Sequence, residues 1–125
     1  MSVSLSLQQC AFTLALAKLI IKINETGYQV KIQELNRILE TQKEYVAKGV
    51  SWTLDSRHLD KLAADIVLFK DGAMVEDQNS YRQFGEYWEG VGGRWGGRFG
   101  LEKEPKEVQA TKLGRDCPHF EMRKT

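Results

Sequence analysis

Apolar side chains recur at spacings of mostly three or four residues near the start of the chain. Leu5, Cys10, Phe12, Leu16, Leu19, Ile20 and Ile23 predict an α-helix over 5–24, which Gly27 can end. A second apolar stripe of Val30, Ile32, Leu35, Ile38, Leu39, Tyr45 and Val46 predicts another helix over 29–48, closed by Gly49 and antiparallel to the first. The period is lost across 50–60. Residues 62–69 (LAADIVLF) are a short apolar run, which predicts a strand buried on both faces. Asp71-Gly72 then turns a hairpin into Ala73, Met74 and Val75. Residues 79–89 read as a third helix with Asn79 or Ser80 as N-cap, against which Gly85 counts. Six of the eleven glycines lie in 90–100 and exclude regular helix there. Residues 101–115 are charged, without apolar period, and read as an exposed loop. Residues 117–122 can form a last strand, with Pro118 at its start or edge because it has no N–H to donate. Helices and strands in this order indicate an α+β fold rather than βαβ winding.

A length of 125 residues fits a single domain over 1–125. Such a chain buries roughly two-thirds of the surface it exposes when unfolded, enough for a core without disulfide staples. Aromatic residues at 10% and only two prolines argue against a disordered chain. The net charge of +1 offers no bulk attraction for nucleic acid or an anionic membrane. Cys10 and Cys117 fit no C-x-x-C pattern and leave two readings, free thiols in a reducing compartment or one long-range disulfide. No Lys or Arg precedes the first apolar run, so the charged segment of a secretory signal is missing. Lys18 and Lys22 interrupt that run, which is shorter than the ~20 residues of a bilayer span. The expectation is a buried core helix in a soluble protein made in the cytoplasm.

Candidate chemistry gathers around the two histidines, His58 and His119. Asp65, between Ala64 and Ile66 in the apolar run, is costly to desolvate and has to be paired, hydrogen-bonded or bound to a metal. Arg57 or a backbone cap could satisfy it. Alternatively His58, Asp65 and His119 form a three-ligand set that leaves zinc an open position, the mark of a catalytic site. Asp116 lies three residues before His119. It either shapes the turn before Pro118 or sits beside a water activated by the metal, whose pKa falls to ~7.

The segment SRHLDKLAAD at Ser56 to Asp65 resembles the S-x-H-x-x-G-x-A-x-D signature of the zinc D-Ala-D-Ala peptidases. DCPHFE at Asp116 to Glu121 resembles their second signature, D-x-x-H or E-x-x-H. Tyr87 to Phe99 (YWEGVGGRWGGRF) is similar to phage members, in which a W-G-G segment precedes the final ligand. The resemblance covers roughly residues 50–122. It implies the Hedgehog/DD-peptidase fold, a small antiparallel sheet with helices packed on it. It makes His58, Asp65 and His119 the zinc ligands and Asp116 the catalytic base. By the same resemblance Arg57 contacts substrate or the oxyanion, Ser56 orients its loop, and Trp95 with its flanking glycines forms a wall of the cleft. Glu121 is expected either to support His119 from behind or to be a solvated strand carboxylate. From residue type alone Trp88, Trp95 and Phe99 read as core, and only the resemblance makes Trp95 a cleft wall. Lys61 departs from the pattern, standing at the signature's glycine.

The resemblance implies a monomeric zinc peptidase acting on peptidoglycan stem peptides, a phage or prophage L-alanyl-D-glutamate endolysin made in the host cytoplasm and acting on the cell wall after release. A D-Ala-D-Ala carboxypeptidase of the same fold is the alternative within the family. A second alternative is a single-stranded RNA binder using GGRWGGRFG, and a third is a zinc-dependent relative that only binds cell-wall peptide.

Overall fold

The computed structural model describes residues 4–35 and 62–123. Helix α1 (Leu5–Glu25) starts at Ser4, whose hydroxyl accepts the Leu7 N–H. It ends in a Schellman arrangement. Gly27, at φ +90°, lets its own N–H reach Asn24 O and that of Tyr28 reach Ile23 O. Phe12, Leu16, Leu19 and Ile23 form the buried stripe. By length and composition α1 could also cross a membrane. Leu7, Leu14 and Ile21 on its other side are exposed.

Where a second helix was expected, Gln29–Glu34 form strand β1. Val30 and Ile32 alternate with Gln29, Lys31 and Gln33. That period of two, carried by β-branched residues, decides the local structure over the longer helical stripe. The remainder of that expected helix, with the 50–60 segment, lies outside the described residues.

Strand β2 (Ala63–Lys70) pairs antiparallel with β1, and Asp71 (φ 52°) and Gly72 (φ 81°) turn it into β3 (Ala73–Met74), as the Asp-Gly pair predicted. Its sides are unequal, which corrects the expectation of burial on both faces. Ala64, Ile66 and Leu68 face the core, while Asp65, Val67 and Phe69 on the opposite face are partly exposed. A 3-10 turn (Gln78–Tyr81), capped by Asp77 rather than Asn79 or Ser80, leads into helix α2 (Arg82–Gly90). Strand β4 (Gly93–Trp95), a 3-10 turn (Gly96–Arg98), helix α3 (Lys106–Thr111) and strand β5 (His119–Met122) complete the chain. The expected exposed loop thus carries one short helix with no buried residue. The carbonyls of Gln109 and Lys112 near its end accept from Arg82, and Arg98 also donates to Gln109.

The sheet is antiparallel in the order β1-β2-β5-β4, with β3 beside β2. The architecture is therefore α+β, an open antiparallel sheet with helices packed on one face. Phe12 of α1 and Phe120 of β5 each meet the Trp88 ring edge-on, at centroid distances of 6.0 Å. Gly85 is required by contact, since a Cβ there would overlap the Trp95 ring. Cys10 is exposed and Cys117 buried, and both are free thiols.

Between its pairings with β5 and β3, strand β2 has one buried N–H left over. Leu68 donates it to the Tyr81 hydroxyl at 3.0 Å. Burial raises the Tyr81 phenol above its ordinary pKa, more than the hydrogen bond from Leu68 lowers it. Tyr81→Phe should strand that N–H and cost about 1–3 kcal/mol in urea unfolding. An unchanged midpoint would show that water replaces the hydroxyl.

Candidate metal centre

The strand register builds the site. Asp65 of β2 stands directly opposite His119 of β5, and Arg94 of β4 opposite Glu121. Directly opposed residues project from the same face of a sheet. Asp65, His119, Glu121 and Arg94 therefore share the face away from the core, while Ala64, Phe120 and Trp95 share the core face. Two buried tryptophans hold β5 from the core side. The Trp95 indole donates to Cys117 O at 2.7 Å and that of Trp88 to Glu121 O at 2.8 Å.

Before β5, the chain turns from Asp116 to His119, with the His119 N–H donating to Asp116 O at 3.0 Å. Gly96 permits the turn's close approach, because a Cβ there would overlap the Asp116 carbonyl and stand 2.9 Å from His119 Cβ. The turn brings Asp116 Oδ2 to 3.9 Å from His119 Nδ1, while Asp65 Oδ1 lies 2.9 Å from the same nitrogen. The other ring nitrogen, Nε2, meets Glu121 Oε1 at 2.8 Å.

One imidazole thus stands among three carboxylates. Burial alone would pull the His119 pKa down. Hydrogen bonds to Asp65 and Glu121, with the charges of Asp65 and Asp116, outweigh it and push the value up to about 9. The site calls for positive charge at Nδ1. A proton there supplies it, and so would a cation held by the same atoms. Asp65, Asp116 and His119 each offer a ligand atom, all within 4.8 Å of one another. The nitrogen-and-carboxylate donor set suits zinc, which has to displace the proton to bind.

Of the residues singled out in the sequence, the structure brings together Asp65, Asp116, His119 and Glu121. Ser56, Arg57, His58 and Lys61 lie outside the described residues. Trp95 is in a different place from the expected cleft wall. It is fully buried in the core, with Gly85 and Gly97 against its ring. Phe99, expected in the core, has its ring centroid 5.4 Å from that of His119. Glu102 escaped the sequence reading, and Arg94 entered it only within GGRWGGRFG, because the β4–β5 register brings Arg94 to Glu121 and an ion pair then adds Glu102. The arginines of GGRWGGRFG are engaged within the fold, Arg94 with Glu102 and Glu121, Arg98 with Glu89.

These features define a class, an α+β protein with an acid–histidine centre on the face of a small antiparallel sheet that points away from the core. Among solved structures the chain is similar to the L-Ala D-Glu endopeptidase ChiX of Serratia marcescens, at 27% identity and a TM-score of 0.58, over 76% of this chain and 67% of that one. It is also similar to the vancomycin-resistance D,D-pentapeptidase VanY of the VanB-type cassette, solved with Zn(II), at 21% identity and a TM-score of 0.56, over 90% and 70% of the two chains. VanYB in complex with D-alanine-D-alanine matches at 19% identity and a TM-score of 0.58, over 90% and 69%. No family model matches the chain, and no curated protein is significantly similar to it in sequence. The chain has the fold of the zinc D,D-peptidase superfamily, the family its two signatures resemble.

Gly96→Ala should force the Asp116–His119 turn away from β4. The expected result is a loss of about 1–3 kcal/mol in urea unfolding. Wild-type stability would show that the turn yields at no cost.

Proposed function

We propose that the protein is a zinc metallopeptidase that hydrolyses peptidoglycan stem peptides between L-Ala and D-Glu. The observation that carries this reading is the Asp65–His119 cross-strand pair with Asp116 one turn away, on a fold shared with an L-Ala D-Glu endopeptidase. In this reading His119 Nδ1, Asp65 and His58 hold the metal, and Asp116 is the base. Zinc held there would polarise the scissile carbonyl and activate water at neutral pH. The Asp116 carboxylate, with its side chain 47% exposed, is open to solvent. It accepts the proton of the attacking water and returns it to the leaving amine. Asp65 and His119, at 22% and 8%, are held more rigidly by the sheet. Arg57, preceding His58, contacts substrate or the oxyanion, and Ser56 orients that loop. The full chain works as one domain and as a monomer.

The similarity of the Tyr87–Phe99 segment to phage members supports a phage or prophage lysin, made in the host cytoplasm and acting on the cell wall. Its folding into β4 and the following turn, with both arginines in ion pairs, favours this reading over RNA binding.

Mass analysis of products from purified peptidoglycan tests the bond. A new N-terminal D-Glu is expected. Release of free D-Ala would instead make the protein a carboxypeptidase, and binding without any product would make it a cell-wall binding module.

Asp116→Asn keeps the shape of the side chain but cannot take a proton. It should fold and retain zinc, yet lose roughly two to four orders of magnitude in rate. His119→Ala should lose metal and activity together. If Asp116→Asn lost zinc as completely as His119→Ala, Asp116 would be a ligand and the role of Asp65 would have to be reassigned.

A further inference from the structure

Glu121 is a buried carboxylate, with its side chain 8% exposed, and such a group is costly to keep ionised without a partner on each side. One oxygen faces His119 Nε2 at 2.8 Å, and the other is 3.4 Å from Arg94 Nη1. The rest of the Arg94 fork is occupied. Nε and Nη2 donate to the two oxygens of Glu102 at 2.9 and 2.6 Å, a bidentate pair that fixes the plane of the guanidinium. The Phe99 ring lies under that plane, 4.4 Å from Arg94 Cζ, and its other neighbour is the His119 ring. The pairing with Arg94 holds the Glu102 carboxyl below its usual range, chiefly through the hydrogen bond. A continuous line thus runs from the loop carrying Glu102, through Arg94 and Glu121, to the back of His119.

A histidine that ligates a metal through one nitrogen commonly donates from the other to a carboxylate, which sets its tautomer and ring angle. We propose that Arg94, held by Glu102, is a positioning residue. It acts through Glu121 to keep the His119 ring turned with Nε2 protonated and Nδ1 facing Asp65 and Asp116. The proposal rests on the metal-centre reading above. It adds two residues that neither signature contains, and it ties the centre to a loop about twenty residues away in sequence.

The test measures zinc affinity by competition with a chromophoric chelator on folded protein, and the His119 tautomer by long-range proton–nitrogen NMR. Wild type should bind one zinc, with Nε2 protonated and Nδ1 ligated. Arg94→Gln should weaken zinc about tenfold and blur the tautomer, and Arg94→Lys, which keeps the charge but not the fork, should recover part of the loss. Glu121→Gln should weaken zinc at least as much. The double variant should be no weaker than Glu121→Gln alone, since Arg94 acts through that carboxylate. Glu102→Gln, a change at a half-exposed side chain, should weaken zinc a few-fold and provides the readout if Arg94→Gln does not fold. Wild-type zinc affinity in Arg94→Gln or, should that variant not fold, in Glu102→Gln would overturn the proposal, as would additive losses in the double variant. A wild-type protein with no zinc affinity would overturn the metal-centre reading itself, and the relay with it.

Discussion

The structure depends on one register, Asp65 opposite His119 across β2 and β5. Because side chains alternate along a strand, a slip of one residue would send Asp65 into the core and Ala64 or Ile66 onto the face away from it. The penalty on both sides is large. A carboxylate would be buried among Leu68, Trp88 and Phe120, and apolar area would be returned to water. The hydrophobic core therefore does more than stabilise the sheet. It selects the only pairing in which the acid and the imidazole meet.

The aromatic side chains enforce the same choice from the core side. Trp88 and Trp95 fill volume, and their indole N–H groups need acceptors when buried. They find them in backbone carbonyls of Glu121 and Cys117, on either side of His119. The glycines that would otherwise weaken this region make those contacts possible. Gly85 admits the Trp95 ring and Gly96 admits the Asp116 carbonyl. Packing on one face thus becomes placement on the other.

On the face away from the core, electrostatics takes over. Asp65, Asp116 and Glu121 converge on one ring, and among the described residues Arg94 pairs with Glu121 while a proton or a bound cation at His119 would balance the others. The raised pKa of His119, about 9, follows from this crowding. Zinc chemistry suits such a site because the attraction that holds the proton there would also hold a cation.

Much of this could be read along the chain. The three-residue spacing of Asp116 and His119 is local, as are the Asp-Gly hairpin, the first helix and the carboxylate within the apolar run of β2, so sequence alone determined them. It also carried the resemblance that named Asp65 and His119 as partners. It misjudged 29–34, where a period of two prevailed over the longer helical stripe, it left Trp95 between the core and a cleft wall, and it placed Phe99 in the core. Which face of a strand a residue occupies, and which residue it meets across the sheet, depends on pairings between segments distant in sequence. Arg94, Glu102 and Phe99 became part of the site only through such pairings. Local periodicity specifies elements, but register is decided when the core closes, and only the tertiary structure records that decision.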